Sequence, residues 1–139
     1  MSLEIVKVDG ARPYPPRVSE FTQTFWQALA DGRLITTRGV EDGRLTFPPK
    51  PFCPHSWSDR VEWVELSGRG RLYSQTVVHA APAAFAAEAP YRVGIVDLDE
   101  GLRIATRILD DGAAPVLDGP VEIVVLAYDD GPLFAARPL

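Results

Sequence analysis

The chain has 139 residues, 46% of them hydrophobic and 24% charged, which suits one compact domain with an ordinary core and excludes a disordered or fibrous class. A net charge of −5 opposes nucleic-acid binding, which needs a basic face to displace counterions from phosphate. One cysteine excludes an internal disulfide, nothing reads as a signal peptide, and no apolar run reaches the roughly 20 residues of a membrane span; a reducing cytoplasm is the expected setting.

In chain order, residues 1–18 place Ile5, Val6 and Val8 ahead of Pro13, Tyr14, Pro15 and Pro16. Such prolines favour an extended arm. It is either a loose terminus or a strap across the body or a partner. Ser19 then offers an N-cap, with Glu20 in the first turn. Phe21, Phe25, Ala28 and Leu29 recur at helical spacing, flanked by Trp26, and Gly32 can close the helix in a left-handed cap. A helix is expected over residues 20–30. Its three aromatics, Phe21, Phe25 and Trp26, suit core packing or docking against a second protein.

Residues 33–38 and 44–47 read as a hairpin closed by Asp42-Gly43. A stiff arm of Pro48, Pro49 and Pro51 leads to Cys53-Pro54-His55-Ser56. Together these have the punctuation of a small zinc ribbon, two knuckles joined by an arm. A closed zinc site of this kind takes four sulfur or nitrogen ligands. Here the ligand positions fall on Gly39, Asp42, Cys53 and Ser56, with one sulfur among them. The expectation is a degenerate ribbon without zinc, held by Phe47, Phe52, Trp57 and its prolines.

From residue 61 the chain turns to strands. Residues 61–66 and 70–79 read as one long strand, kinked at Gly68 and Gly70. Residues 92–98 and 102–109 face each other across Asp99-Glu100-Gly101; Ile104, Thr106 and Ile108 alternate with Arg103 and Arg107, one face buried and one wet. Residues 121–128 and 133–137 complete a set of five strands, suiting a Greek-key barrel of the OB type. The fold class is therefore mainly β: a five-stranded OB barrel over residues 61–139, preceded by an arm and helix over 1–32 and a degenerate ribbon over 33–60.

No residues assemble a catalytic group. Cys53 and His55 lack a third group to orient the base, and Asp97, Asp99 and Glu100 lie in and beside a turn. The alanine-rich connection over residues 80–90 holds Phe85 between His79 and Tyr91; it is either a ligand-contacting loop at the barrel mouth, with Arg69, Arg71 or Arg92 meeting an anionic group, or a mobile surface loop whose Phe85 plugs the barrel end.

The order of motifs carries a resemblance. An aromatic helix ends in Asp31-Gly32-Arg33-Leu34, followed by Arg44-Leu45-Thr46-Phe47-Pro48-Pro49-Lys50-Pro51 and Cys53-Pro54-His55. Trp63-Val64-Glu65-Leu66-Ser67-Gly68-Arg69-Gly70, Ala89-Pro90-Tyr91 and Val96-Asp97-Leu98-Asp99-Glu100-Gly101 come after. From Phe21 to Tyr128 the chain resembles the family called domain of unknown function thirty-five, a rubredoxin-like ribbon followed by an OB fold. The resemblance implies a non-catalytic partner subunit of a thiolase-like enzyme, a thiolase-fold aldolase or a hotdog-fold hydratase, within a homo- or hetero-oligomer. It also implies a coenzyme A thioester as the ligand such a site would share. The chain departs from the family at Gly39, Asp42 and Ser56, where cysteine is usual. The rival readings are a free-standing acyl-CoA or small-molecule module and, with less support, a single-stranded nucleic-acid binder, which needs aromatics in a basic groove.

Overall fold

The computed structural model describes residues 2–139. Elements are, in chain order, β1 (Ile5–Lys7), α1 (Gln23–Ala30), β2 (Leu34–Gly39), β3 (Leu45–Thr46), β4 (Val61–Leu66), β5 (Arg69–Val78), a 3-10 turn (Ala83–Glu88), β6 (Tyr91–Leu98), β7 (Arg103–Ile108), β8 (Pro120–Tyr128) and β9 (Gly131–Pro138).

The barrel closes. Strands β5 to β9 run in the order β8-β5-β6-β7-β9, and β9 pairs back onto β8, so the five strands form a ring with no free edge. The β7–β9 contact is parallel and the others antiparallel, the OB arrangement expected from the strand spacing. Alternation drives it: Leu72, Val96, Ile104, Ile108, Val121, Ile123 and Val125 are all buried, sharing one core with Phe25 and Leu29 of the helix.

The helix follows its sequence signals at both ends. Ser19 Oγ accepts the Thr22 amide at 3.0 Å while Thr22 Oγ1 accepts the Ser19 amide at 2.8 Å, a reciprocal cap around the turn that leads into α1. Gly32, at φ +82°, closes the other end. The regular helix begins at Gln23 rather than residue 20, because residues 20–22 form that capping turn.

Two features differ from the sequence expectation. Strand β4 does not continue into the barrel. It pairs along its whole length with β2, Leu34 opposite Leu66 and Gly39 opposite Val61, as the third strand of the ribbon sheet β3-β2-β4. The reason is an unmet edge: β2 is buried along nearly all its length, and β3 covers only two of its residues. Gly68, at φ +77°, then turns the chain into the barrel, and the bulge in β5 falls at Tyr73 instead.

The N-terminal arm is a strap across the body. β1 pairs in parallel with β8 at Ile5–Val125 to Lys7–Ala127. Arg12 then ties the arm to the β8–β9 turn, its amide donating to Asp130 Oδ1 at 2.8 Å and its Nη2 to the Asp130 carbonyl at 2.9 Å.

Candidate functional site

On the barrel's flank lies a cavity of about 390 Å³. Tyr91, Val93 and Arg107 line it from the faces of β6 and β7 turned away from Ile104 and Ile108; Phe85 and Glu88 of the 3-10 turn roof it, and Pro13 of the arm and Phe134 of β9 close it. Register explains the grouping. Arg107 stands opposite Val93, so its guanidinium reaches diagonally over the Tyr91 ring, 4.0 Å from the centroid. Arg107 Nη1 also meets Glu88 Oε1 at 3.1 Å, which neutralises the charge within the cavity. The face of β7 expected to be wet is therefore partly covered here.

Tyr128 adds a phenol to the lining, whereas Thr106 shares the inward face of β7 with Ile104 and Ile108, its Oγ1 buried without a hydrogen-bond partner. Burial, and secondarily the Glu88 charge, push the Tyr128 phenol above its ordinary value against the opposing pull of Arg107. It stays protonated and able to donate. The result is an apolar slot with one phenol and a charge-balanced ion pair, suited to holding an uncharged group and lacking a nucleophile with its base.

Of the expected ligand residues, the structure brings together Phe85 and Tyr91, with ring centroids 6.1 Å apart. His79 is exposed and outside the cavity lining. Arg69 and Arg71 are exposed on β5, where Arg71 donates to the Asp118 carbonyl at 2.8 Å. Arg92 turns the other way, to Gln75 Oε1 at 3.1 Å and Asp110. None of these three arginines lines the slot; its cation is Arg107. Alternation had marked Arg107 as solvent-facing, and only the fold of the 80–90 connection encloses it.

A second cavity, of about 220 Å³, backs onto the other side of Phe134 and is lined by Phe25, Trp26, Phe47, Pro48 and Arg17. Among the expected docking residues, Phe25 is 4% exposed and belongs to the core, packed at 5.9 Å against Phe47 and 6.4 Å against Phe134. It presents no surface. Phe21 stacks on Trp63 at 5.2 Å, and Trp26 meets Phe25 edge-on at 5.0 Å; both are partly buried. An exposed aromatic pair lies elsewhere, on the second knuckle, where Phe52 and Trp57 stack at 5.8 Å with Trp57 78% exposed; Tyr14 on the arm and Tyr73 on β5 are exposed too. These two were expected to hold the ribbon together. Phe47 does pack inward, whereas Phe52 and Trp57 form a surface pair.

In the ribbon, Gly39, Asp42 and Cys53 converge. Cys53 is 1% exposed and its thiol donates to Asp42 Oδ2 at 3.2 Å; Asp42 Oδ1 accepts the Arg44 amide at 3.0 Å. Those two hydrogen bonds, the backbone one foremost, hold the Asp42 carboxyl below its ordinary value. Ser56 is exposed and accepts the Ser58 amide at 3.4 Å. The zinc that such a ribbon implies does not fit these residues: one sulfur, one carboxylate, one hydroxyl and a glycine cannot close a four-ligand sulfur and nitrogen site. Among the described residues no group of three or more His, Cys, Asp or Glu side chains converges, and no helix is long and apolar enough to cross a membrane.

Comparison with known proteins places this architecture. Residues 26–62 match the model of the ChsH2 rubredoxin-like zinc ribbon domain, and residues 63–126 that of the ChsH2 C-terminal OB-fold domain. The chain is 34% identical over 113 residues to benzoylsuccinyl-CoA thiolase subunit BbsA of Thauera aromatica, covering 79% of this chain and 77% of that protein. It is 40% identical over 78 residues to a DUF35 domain-containing scaffold protein of Methanocaldococcus jannaschii, a match spanning 55% of each. A solved structure titled Ltp2-ChsH2(DUF35) aldolase aligns with a TM-score of 0.75 and 34% identity, over 89% of this chain and 98% of that one. The chain belongs to the DUF35 family, with the ribbon-plus-OB architecture of ChsH2.

Proposed function

We propose that this chain is a non-catalytic accessory subunit of an acyl-CoA-processing enzyme: a thiolase-like enzyme, a thiolase-fold aldolase or a hotdog-fold hydratase. The observation that carries the reading is near-full-length similarity to a chain of the Ltp2-ChsH2(DUF35) aldolase. The same kind of similarity extends to a thiolase subunit. The geometry agrees, since the slot offers binding surface and no reactive pair. Docking is assigned to the knuckle pair Phe52 and Trp57, with Phe21 and Trp26 contributing from the helix side. Stacked, exposed aromatics of this kind are the residues on which interface energy concentrates. A cytoplasmic setting is supported by the low cysteine count, Cys53 having no partner for a disulfide within the chain.

The test is co-expression with a thiolase-like enzyme from the same genome. Stable co-purification, with partner activity that depends on this chain, supports the assignment. A chain that binds no such enzyme, yet turns over a thioester alone after contaminants are removed, overturns it.

A second reading, a free-standing acyl-CoA module, is favoured by the slot itself, an apolar cavity with the Tyr128 phenol in its lining. Calorimetry of the isolated chain with acyl-CoA and with free CoA separates the two readings. Binding of acyl-CoA without a partner favours the module.

A further inference from the structure

We infer that the ribbon is metal-independent, and that a thiol–carboxylate hydrogen bond between Cys53 and Asp42 clamps its knuckles where a zinc ribbon holds its ion. Three observations carry this. The donor set is wrong for zinc, as shown above. The contact is specific, since Asp42 uses one oxygen on its own knuckle, at the Arg44 amide, and the other across the gap on Cys53 Sγ at 3.2 Å. The space is already used: a Cβ built on Gly39 would collide with the Asp42 carboxylate and stand 3.0 Å from Cys53 Sγ. An ion needs room between its ligands. Here carboxylate and thiol occupy it, and the glycine is what lets them approach.

A ribbon that loses its metal must find folding energy elsewhere, because the ion normally supplies much of it. This one borrows from the barrel. Leu34, Ile35 and Leu66 of the ribbon sheet are buried in the same cluster as the barrel's Ile104 and Ile123. The hydroxyls of buried Thr36 and Thr37 are satisfied by the Thr46 carbonyl and the Lys50 amide, so the proline arm is fastened by polar contacts.

The crowding at Gly39 makes a coupled prediction. Gly39→Cys alone destabilises the chain, because its side chain meets Asp42. Gly39→Cys combined with Asp42→Cys and Ser56→Cys removes that clash and completes four sulfurs with Cys53. The triple variant is expected to carry about one zinc per chain and to melt higher with zinc than with chelator. The full-length wild type, expressed with added zinc and dialysed, should carry essentially none by elemental analysis, with a melting temperature indifferent to EDTA. Should the triple variant not fold, two single changes still decide. Asp42→Asn lowers the melting temperature by roughly 3–6 °C. Cys53→Ser, whose hydroxyl can still donate to Asp42, lowers it less. Stoichiometric zinc in the wild type, lost with Cys53→Ser, overturns the inference; so does an Asp42→Asn variant as stable as wild type.

Discussion

The barrel and the ribbon are both β-sheet modules, yet they stay folded for different reasons. In the barrel each strand is hydrogen-bonded on both sides and its inward side chains are mostly buried aliphatics. In the ribbon β3 is two residues long, β4 pairs only with β2, and the buried inventory includes two threonines and a lone cysteine. A closed sheet generates its own core from period-two alternation. An open three-stranded sheet of this size cannot, and depends on satisfied polar groups and on the neighbour whose core it shares. Partner docking by this lobe would fit that dependence, since its exposed aromatics have no intramolecular surface to cover.

The largest effect that tests this contrast is in the barrel. Ile108→Ala, at a site 1% exposed, should cost about 2–5 kcal/mol and lower the midpoint of a single cooperative transition, seen by calorimetry. Two separate transitions would instead mean that ribbon and barrel do not share a core. In the ribbon, Thr37→Val leaves the Lys50 amide without its acceptor and should cost about 1 kcal/mol. Hydrogen exchange should locate that loss in the proline arm and leave barrel amides protected. Trp57→Ala sharpens the docking side: stability should change by less than about 0.5 kcal/mol, while affinity for the partner enzyme falls about 30-fold or more by titration.

The smallest effect is in the strap. The Arg12 amide and, less strongly, its guanidinium hold the Asp130 carboxyl below its ordinary value of 3.8. A lowered carboxylate contributes stability that is fully present above that value and is lost as pH falls through the folded-state value. Protection of the β1 amides, taken relative to intrinsic exchange, should therefore fall below about pH 3.8, and Asp130→Asn should remove that loss.

Much of this fold is legible in the residues because the signals are local. Ser19 and Gly32 bracket the helix, Asp42-Gly43 turns the hairpin, and alternation in residues 92–98 and 102–109 marks paired strands. The candidate site was half legible. Phe85 and Tyr91 could be named, since an apolar connection between OB strands announces itself. Arg107 could not, because its enclosure depends on how a loop from the other side of β6 folds back over β7. The tertiary fold also chose between the open readings of the aromatics, burying Phe25 in the core and leaving Trp57 at the surface: helical spacing defines a stripe without saying what covers it, and an aromatic beside a knuckle can face either way.

By itself the sequence determined the strand periods, the caps and turns, and the shortage of sulfur at the ribbon's ligand positions; each depends on residues a few positions apart. The tertiary structure alone decided that β4 joins the ribbon, that Arg107 rather than Arg69, Arg71 or Arg92 enters the slot, and that Asp42 meets Cys53. Those outcomes are set by which distant edges and faces are left unsatisfied once the barrel closes, and neighbouring residues carry no record of them.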